Sequence, residues 1–155
     1  MARTLAAFGF AAFTATIVNA ATIVPAAPVL ENKGFVLMDY DSGQVLASSN
    51  PDQRLAPASL TKMMTSFLVE QRLIKGTLKE TDPVLMRESA WCRGTSAESC
   101  MYVPVNTTAT VIDMLRGVII QSGNDASKAL AEHIGGNEPA FAELMNAEAK
   151  RLGMN

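Results

Sequence analysis

Between Ser59 and Lys75 the apolar residues recur at steps of three and four. Leu60, Met63, Met64, Phe67 and Leu68 form one stripe, the mark of an amphipathic helix with a buried face. Ala56-Pro57-Ala58 suits the start of that helix, where proline loses no hydrogen bond, and Gly76 suits its end. The pattern predicts a helix over 59–75 that carries Ser59 toward the core. Thr110 to Asp113 has the form of a capping box with Asp in the acidic position. It opens a helix running to about Gln121 and ending at Gly123. Asn124 and Asp125 then stand where they can cap a third helix, which stops at Gly135-Gly136. A fourth runs from Asn137 or Glu138 to Leu152, burying Phe141, Leu144 and Met145, with Gly153 as its stop.

Ahead of the helices the period changes. Phe35 to Met38 and Val45 to Ala47 are apolar and flank Asp41-Ser42-Gly43, a good turn sequence, so residues 34–47 read as a β-hairpin. The hairpin is apolar on both faces, as expected of strands covered by helices on at least one side. Residues 81–109 show no regular period. They hold Trp91, Cys92, Ser96, Ser99, Cys100 and Tyr102, and the serines read as solvated loop residues because none has a base at helical spacing. Strands followed by helices give the α+β class, with helices packed on one antiparallel sheet. Two strands are a marginal unit, so the helices are expected to expose apolar surface.

The chain has 155 residues, enough for one domain, and its formal net charge of −2 gives no reason to expect a nucleic-acid partner. Its N-terminus is more telling. Arg3 is the only charge before Glu31, and Leu5 to Val18 is rich in Ala, Phe and Ile. Val18-Asn19-Ala20 follows with the spacing of a cleavage site, and Val24-Pro25-Ala26 is a second candidate. This is the anatomy of a secretory signal peptide over residues 1–20, with cleavage as late as residue 26. A retained membrane anchor is the rival reading, weakened by Pro25 and Pro28. Export would place the protein in the periplasm or cell envelope, where Cys92 and Cys100 either close a loop disulfide or stay as unlinked thiols. The two cysteines and the single His133 lack metal-ligand spacing. No cofactor is expected.

The chemistry is concentrated in two short strings. Ser59-Leu60-Thr61-Lys62 sets a hydroxyl and an amine one helical turn apart on one face. A lysine held in a partly dry site can lose its proton near neutral pH and then activate the serine. Ser122-Gly123-Asn124 adds a second hydroxyl and an amide at a tight helix-to-helix junction, able to relay that proton and hold a substrate. Either string alone is commonplace. In this order, about sixty residues apart, they describe an acyl-transfer site.

The flanking residues extend the pattern. Pro57 to Thr65, Leu115 to Ala126, Asp39 to Leu46 and Met145 to Met154 closely resemble the serine D-alanyl-D-alanine carboxypeptidases, the low-molecular-mass penicillin-binding proteins. The likeness spans roughly residues 34 to 155. It implies a β-lactamase/serine-transpeptidase-like fold, a helical subdomain on an antiparallel sheet with the site between them. Ser59 is the implied nucleophile, Lys62 its base, Ser122 the proton relay and Asn124 the substrate-binding residue. The implied partners are peptidoglycan pentapeptide stems as substrate and β-lactam antibiotics as inhibitors. An inner-membrane association through a C-terminal segment not present in these 155 residues is also compatible with the family.

The family's third motif, Lys-Thr-Gly, has no counterpart, since Lys75-Gly76-Thr77 reads as a helix end. The expectation is therefore an incomplete chain whose helices need a fuller sheet. Residues 21–155 alone are expected neither to fold stably nor to label with penicillin. Three alternatives stand beside the carboxypeptidase. One is a class A-like β-lactamase, which usually has Asp where Gly123 sits and needs a deacylating Glu for which the sequence offers no assignable candidate. The others are a non-catalytic wall-associated protein and a fragment without function.

Overall fold

The computed structural model describes residues 28–93 and 98–154. The leader, both candidate cleavage points and Ser96 lie outside them. The chain divides into two compact units, Met1–Arg54 and Leu55–Asn155.

The first unit contributes one hairpin. Strands β1 (Phe35–Met38) and β2 (Val45–Ser49) pair antiparallel, with Phe35 opposite Ser49 and Leu37 opposite Ala47, after which the register shifts to set Met38 opposite Val45. Asp39 organises the turn. Its Oδ1 accepts the Ser42 N–H at 2.8 Å and the Ser42 hydroxyl at 2.5 Å. Those two hydrogen bonds hold the Asp39 carboxyl below the usual range. Gly43 supplies the positive φ of 69° that closes the turn. The predicted hairpin is present, with β2 running on to Ser49. Its expected burial is not: Val36, Leu37, Met38, Val45 and Leu46 are each about half exposed.

The second unit is helical. A 3₁₀ turn at Ala58–Leu60 leads into α1 (Thr61–Ile74). A short ribbon follows, β3 (Pro83–Leu85) paired antiparallel with β4 (Thr108–Thr110). Then come α2 (Val111–Gln121), α3 (Asn124–Gly135) and α4 (Glu138–Arg151). The main core gathers Val69 from α1, Val84 from β3, Met114, Leu115 and Val118 from α2, and Ala126, Ala129 and Leu130 from α3. A smaller cluster of Leu68, Ala131 and Phe141 fastens α4. Burying such side chains is worth about 1.5–3 kcal/mol each.

Among the described residues antiparallel pairing takes the form of two two-stranded ribbons, β1–β2 and β3–β4, where the sequence reading expected one sheet. The β3–β4 ribbon was hidden in sequence because three-residue strands carry too few positions to reveal a period. On α1 the buried residues are Thr65, Leu68 and Val69, whereas Leu60 and Met63 are 68% and 71% exposed. Periodicity finds a stripe, but neighbours decide how far round the helix burial extends. Likewise on α4 Phe141 is buried and Met145 partly so, while Leu144 lies on the exposed side.

The helix ends are legible in detail. Thr110 Oγ1 accepts the Asp113 N–H at 3.3 Å, as the capping sequence requires, and its own hydroxyl donates to Asp113 Oδ2 at 2.6 Å. Asn137 Oδ1 accepts the Ala140 N–H at 2.8 Å and starts α4. Gly76, Gly136 and Gly153 all take positive φ just past helix ends. Lys75-Gly76-Thr77 is therefore the close of α1, as read from sequence.

Candidate active site

Ser59 sits in the 3₁₀ turn, exposed, one residue after Ala58, whose φ is +45°. The expectation that the helix carries this serine into the core is corrected by the structure. The turn contains no buried residue, and the hydroxyl opens onto a cleft. Lys62, one turn on and half-buried, donates from Nζ to Ser59 Oγ at 3.3 Å and to Asn124 Oδ1 at 2.6 Å. The amine thus ties the start of α1 to the start of α3 across 62 positions of sequence.

Ser122 closes the arrangement. It lines the same cleft of about 310 Å³ as Ser59 and Lys62, with Met63, Val118 and Ile119 as apolar wall. That is why Met63 is exposed: it faces the cleft. The positive φ that ends α2 lies at Ser122 (φ 53°, ψ 36°), not at Gly123 as its type suggested. A left-handed serine turns the chain sharply from α2 into α3.

Gly123 is required for room. A Cβ there would lie 3.0 Å from Asp125 Oδ1, 3.1 Å from Met101 N and 3.3 Å from Gly117 O. The Asp usual at this place in class A β-lactamases has no space in this packing. Gly123 is also the residue before the first turn of α3, and no side chain caps that helix. Asn124 and Asp125 do other work. Asp125, 1% exposed, accepts the N–H groups of Met101 and Tyr102, each at 2.8 Å, and of Ala126 at 2.9 Å. A buried carboxylate with three backbone donors is a strong clamp, and it pins the 98–102 segment against the junction.

That segment is held by more than Asp125. Cys92 and Cys100 form a disulfide with Cα atoms 6.2 Å apart, which resolves the two readings of the pair in favour of the bond. Ser99 is an exposed loop residue, as read from sequence, but it is also engaged: its hydroxyl donates to Gln121 O at 2.6 Å, and its carbonyl accepts the Asn124 N–H at 2.7 Å. Glu98 Oε2 accepts from Asn124 Nδ2 at 3.2 Å. Sequence reading passed over Glu98 and Asp125 because neither stands at helical spacing from Ser59 or Lys62. Asp125, next to Asn124, is the available signal, and its position after Gly123 suggests only capping.

The structure therefore brings Ser59, Lys62, Ser122 and Asn124 together as the sequence predicts. A serine and a lysine at a helix start, joined to a Ser-Gly-Asn corner, define the penicillin-binding class of active-site-serine proteins. The chain belongs to the D-alanyl-D-alanine carboxypeptidase family, Peptidase S11, whose sequence pattern matches residues 21–155. It is 50% identical over 127 residues to D-alanyl-D-alanine carboxypeptidase DacA of Haemophilus influenzae, covering 82% of this chain and 32% of that one. It is 46% identical over 131 residues to DacC of Escherichia coli K12, covering 83% and 33%. Among solved structures, penicillin binding protein 5 from Haemophilus influenzae superposes with a TM-score of 0.78 at 50% identity, over 83% of this chain and 38% of that one. Penicillin binding protein 6B from Escherichia coli gives 0.75 at 36% identity, over 85% and 42%. The chain spans about a third of the length of the curated relatives it matches.

Proposed function

We propose that this chain carries the acylating half of a serine D-alanyl-D-alanine carboxypeptidase that removes the terminal D-alanine of peptidoglycan stem peptides. The observation that carries the reading is the position of Lys62 Nζ, 3.3 Å from Ser59 Oγ and 2.6 Å from Asn124 Oδ1. In the neutral amine a lone pair faces the serine. Ser59 gives its proton to Lys62 as Oγ attacks the carbonyl carbon between the two D-alanines. The Ser59 backbone N–H serves as one donor to the developing oxyanion. Ser122 passes the proton to the departing amine, the C–N bond breaks, and D-alanine leaves. Water then hydrolyses the acyl-serine and regenerates the hydroxyl. Asn124 holds the lysine and the peptide backbone. A β-lactam acylates the same oxygen.

The reading includes export through the N-terminal leader to the cell envelope. Among the described residues no helix is long and apolar enough to cross a membrane. The deciding experiment is labelling of the full-length protein with a fluorescent penicillin, alongside release of D-alanine from a pentapeptide. Ser59→Ala should abolish both. Labelling that survives in Ser59→Ala would remove Ser59 as nucleophile.

A further inference from the structure

We infer that Glu98 is a positioning residue for acylation, acting through the Asn124 amide. The inference rests on the acyl-transfer reading above and deepens it. Asn124 presents two chemically different ends, a carbonyl oxygen that accepts and an amide nitrogen that donates. Its neighbours differ just as sharply. Lys62 has hydrogens to donate to the amide even while its lone pair serves Ser59, and the Glu98 carboxylate offers acceptor oxygens. The observed pairs, Lys62 Nζ to Asn124 Oδ1 at 2.6 Å and Asn124 Nδ2 to Glu98 Oε2 at 3.2 Å, are the one orientation of the amide that satisfies both. With Glu98 absent, a flip of the amide about its last bond would turn the NH₂ group toward the amine. The lysine would then lose its anchor and its aim at Ser59.

Glu98 is itself placed. It lies between Cys92 and Cys100, and one of its carboxylate oxygens, Cys92 Sγ and Cys100 Sγ all fall within 4.8 Å of one another. The residues that follow it are bolted to the same junction. Ser99 bonds Gln121 and the Asn124 backbone, and Met101 and Tyr102 bond the buried Asp125. The disulfide at Cys100 and these bonds at Ser99, Met101 and Tyr102 anchor the chain just after Glu98 against the junction, which sets its carboxylate beside the amide. A site residue is precise only when its supporting partner is itself held.

The test uses acylation rate with a fluorescent penicillin on the full-length protein, with thermal melting to confirm folding. Glu98→Leu, similar in size and without an acceptor, should slow acylation about ten- to a hundredfold. Glu98→Gln keeps an acceptor and should recover at least about a third of the parent rate. In an Asn124→Ala background Glu98→Leu should add no further loss, because interaction through a shared partner is non-additive. Glu98→Ala replaces the leucine variant if that one does not fold. Additive losses, or a leucine variant as fast as the parent, would overturn the inference and leave the acyl-transfer reading standing. So would a glutamine variant that acylates normally but releases product tenfold more slowly, since that behaviour belongs to a base for deacylation. Failure of the parent itself to label would remove the acyl-transfer reading, and this inference with it.

Discussion

The two halves of the site are built in opposite ways. Ser59 stands on an exposed 3₁₀ turn with no side-chain cap, next to an alanine at positive φ. Ser122 and Asn124 stand at a corner gripped by the buried carboxylate of Asp125, by Ser99 and by the contact at Gly123. In the proposed reaction the nucleophile must reach a substrate and afterwards be reached by water, so it belongs on an open edge. The groups that aim it must not move, so they belong in a packed corner. Lys62 joins the two, with its stem on α1 and its amine held by α3.

The largest expected break in this comparison is at the joint. Lys62→Arg keeps a positive charge but cannot take a proton, because the guanidinium pKa exceeds about 12. Acylation should fall about 10²–10⁴-fold, the usual worth of a general base, with thermal unfolding little changed. Near-normal acylation would make Lys62 an electrostatic anchor only. The next effect is at the corner. Gly123→Ala puts a methyl against backbone atoms of Met101 and Gly117 that cannot swing away. Overpacking of this kind costs about 1–3 kcal/mol, and a melting curve should show it together with weaker penicillin labelling. An unchanged melting temperature would mean that the corner is looser than its contacts imply.

The smallest effect is on the open side. Ala58 bears a left-handed backbone that costs an L-residue about 1–2 kcal/mol, and glycine there forfeits about 0.5–1 kcal/mol in chain entropy. Ala58→Gly should therefore be as stable as the parent or slightly more so, by up to about 1.5 kcal/mol, in denaturant titration. A clear loss of stability would show that the alanine methyl has a packing role and that the open half is less open than it looks.

Sequence carried much of this and missed the rest for physical reasons. The Ser59–Lys62 contact follows from helical pitch, so spacing alone predicts it. The capping box at Thr110 and the stops at Gly76, Gly136 and Gly153 are local chemistry and were equally readable. What bound Asn124 was not local. Glu98 and Ser99 reach the corner across 26 and 22 residues, and nothing in their own neighbourhood marks them as partners. The left-handed residue after α2 misled for the opposite reason. Glycine is the favoured type at such a place, yet the glycine was needed beside it for space, so the serine took the strained conformation.

The Asn124 side chain has a consequence for what can dock there. Its oxygen accepts from the Lys62 amine and one of its two amide hydrogens goes to Glu98. The nitrogen keeps one further hydrogen and the oxygen one further lone pair. A visiting carbonyl suits the first and a visiting N–H suits the second. The amide therefore offers a docking backbone both polarities at once, and a group that brings neither leaves them to water.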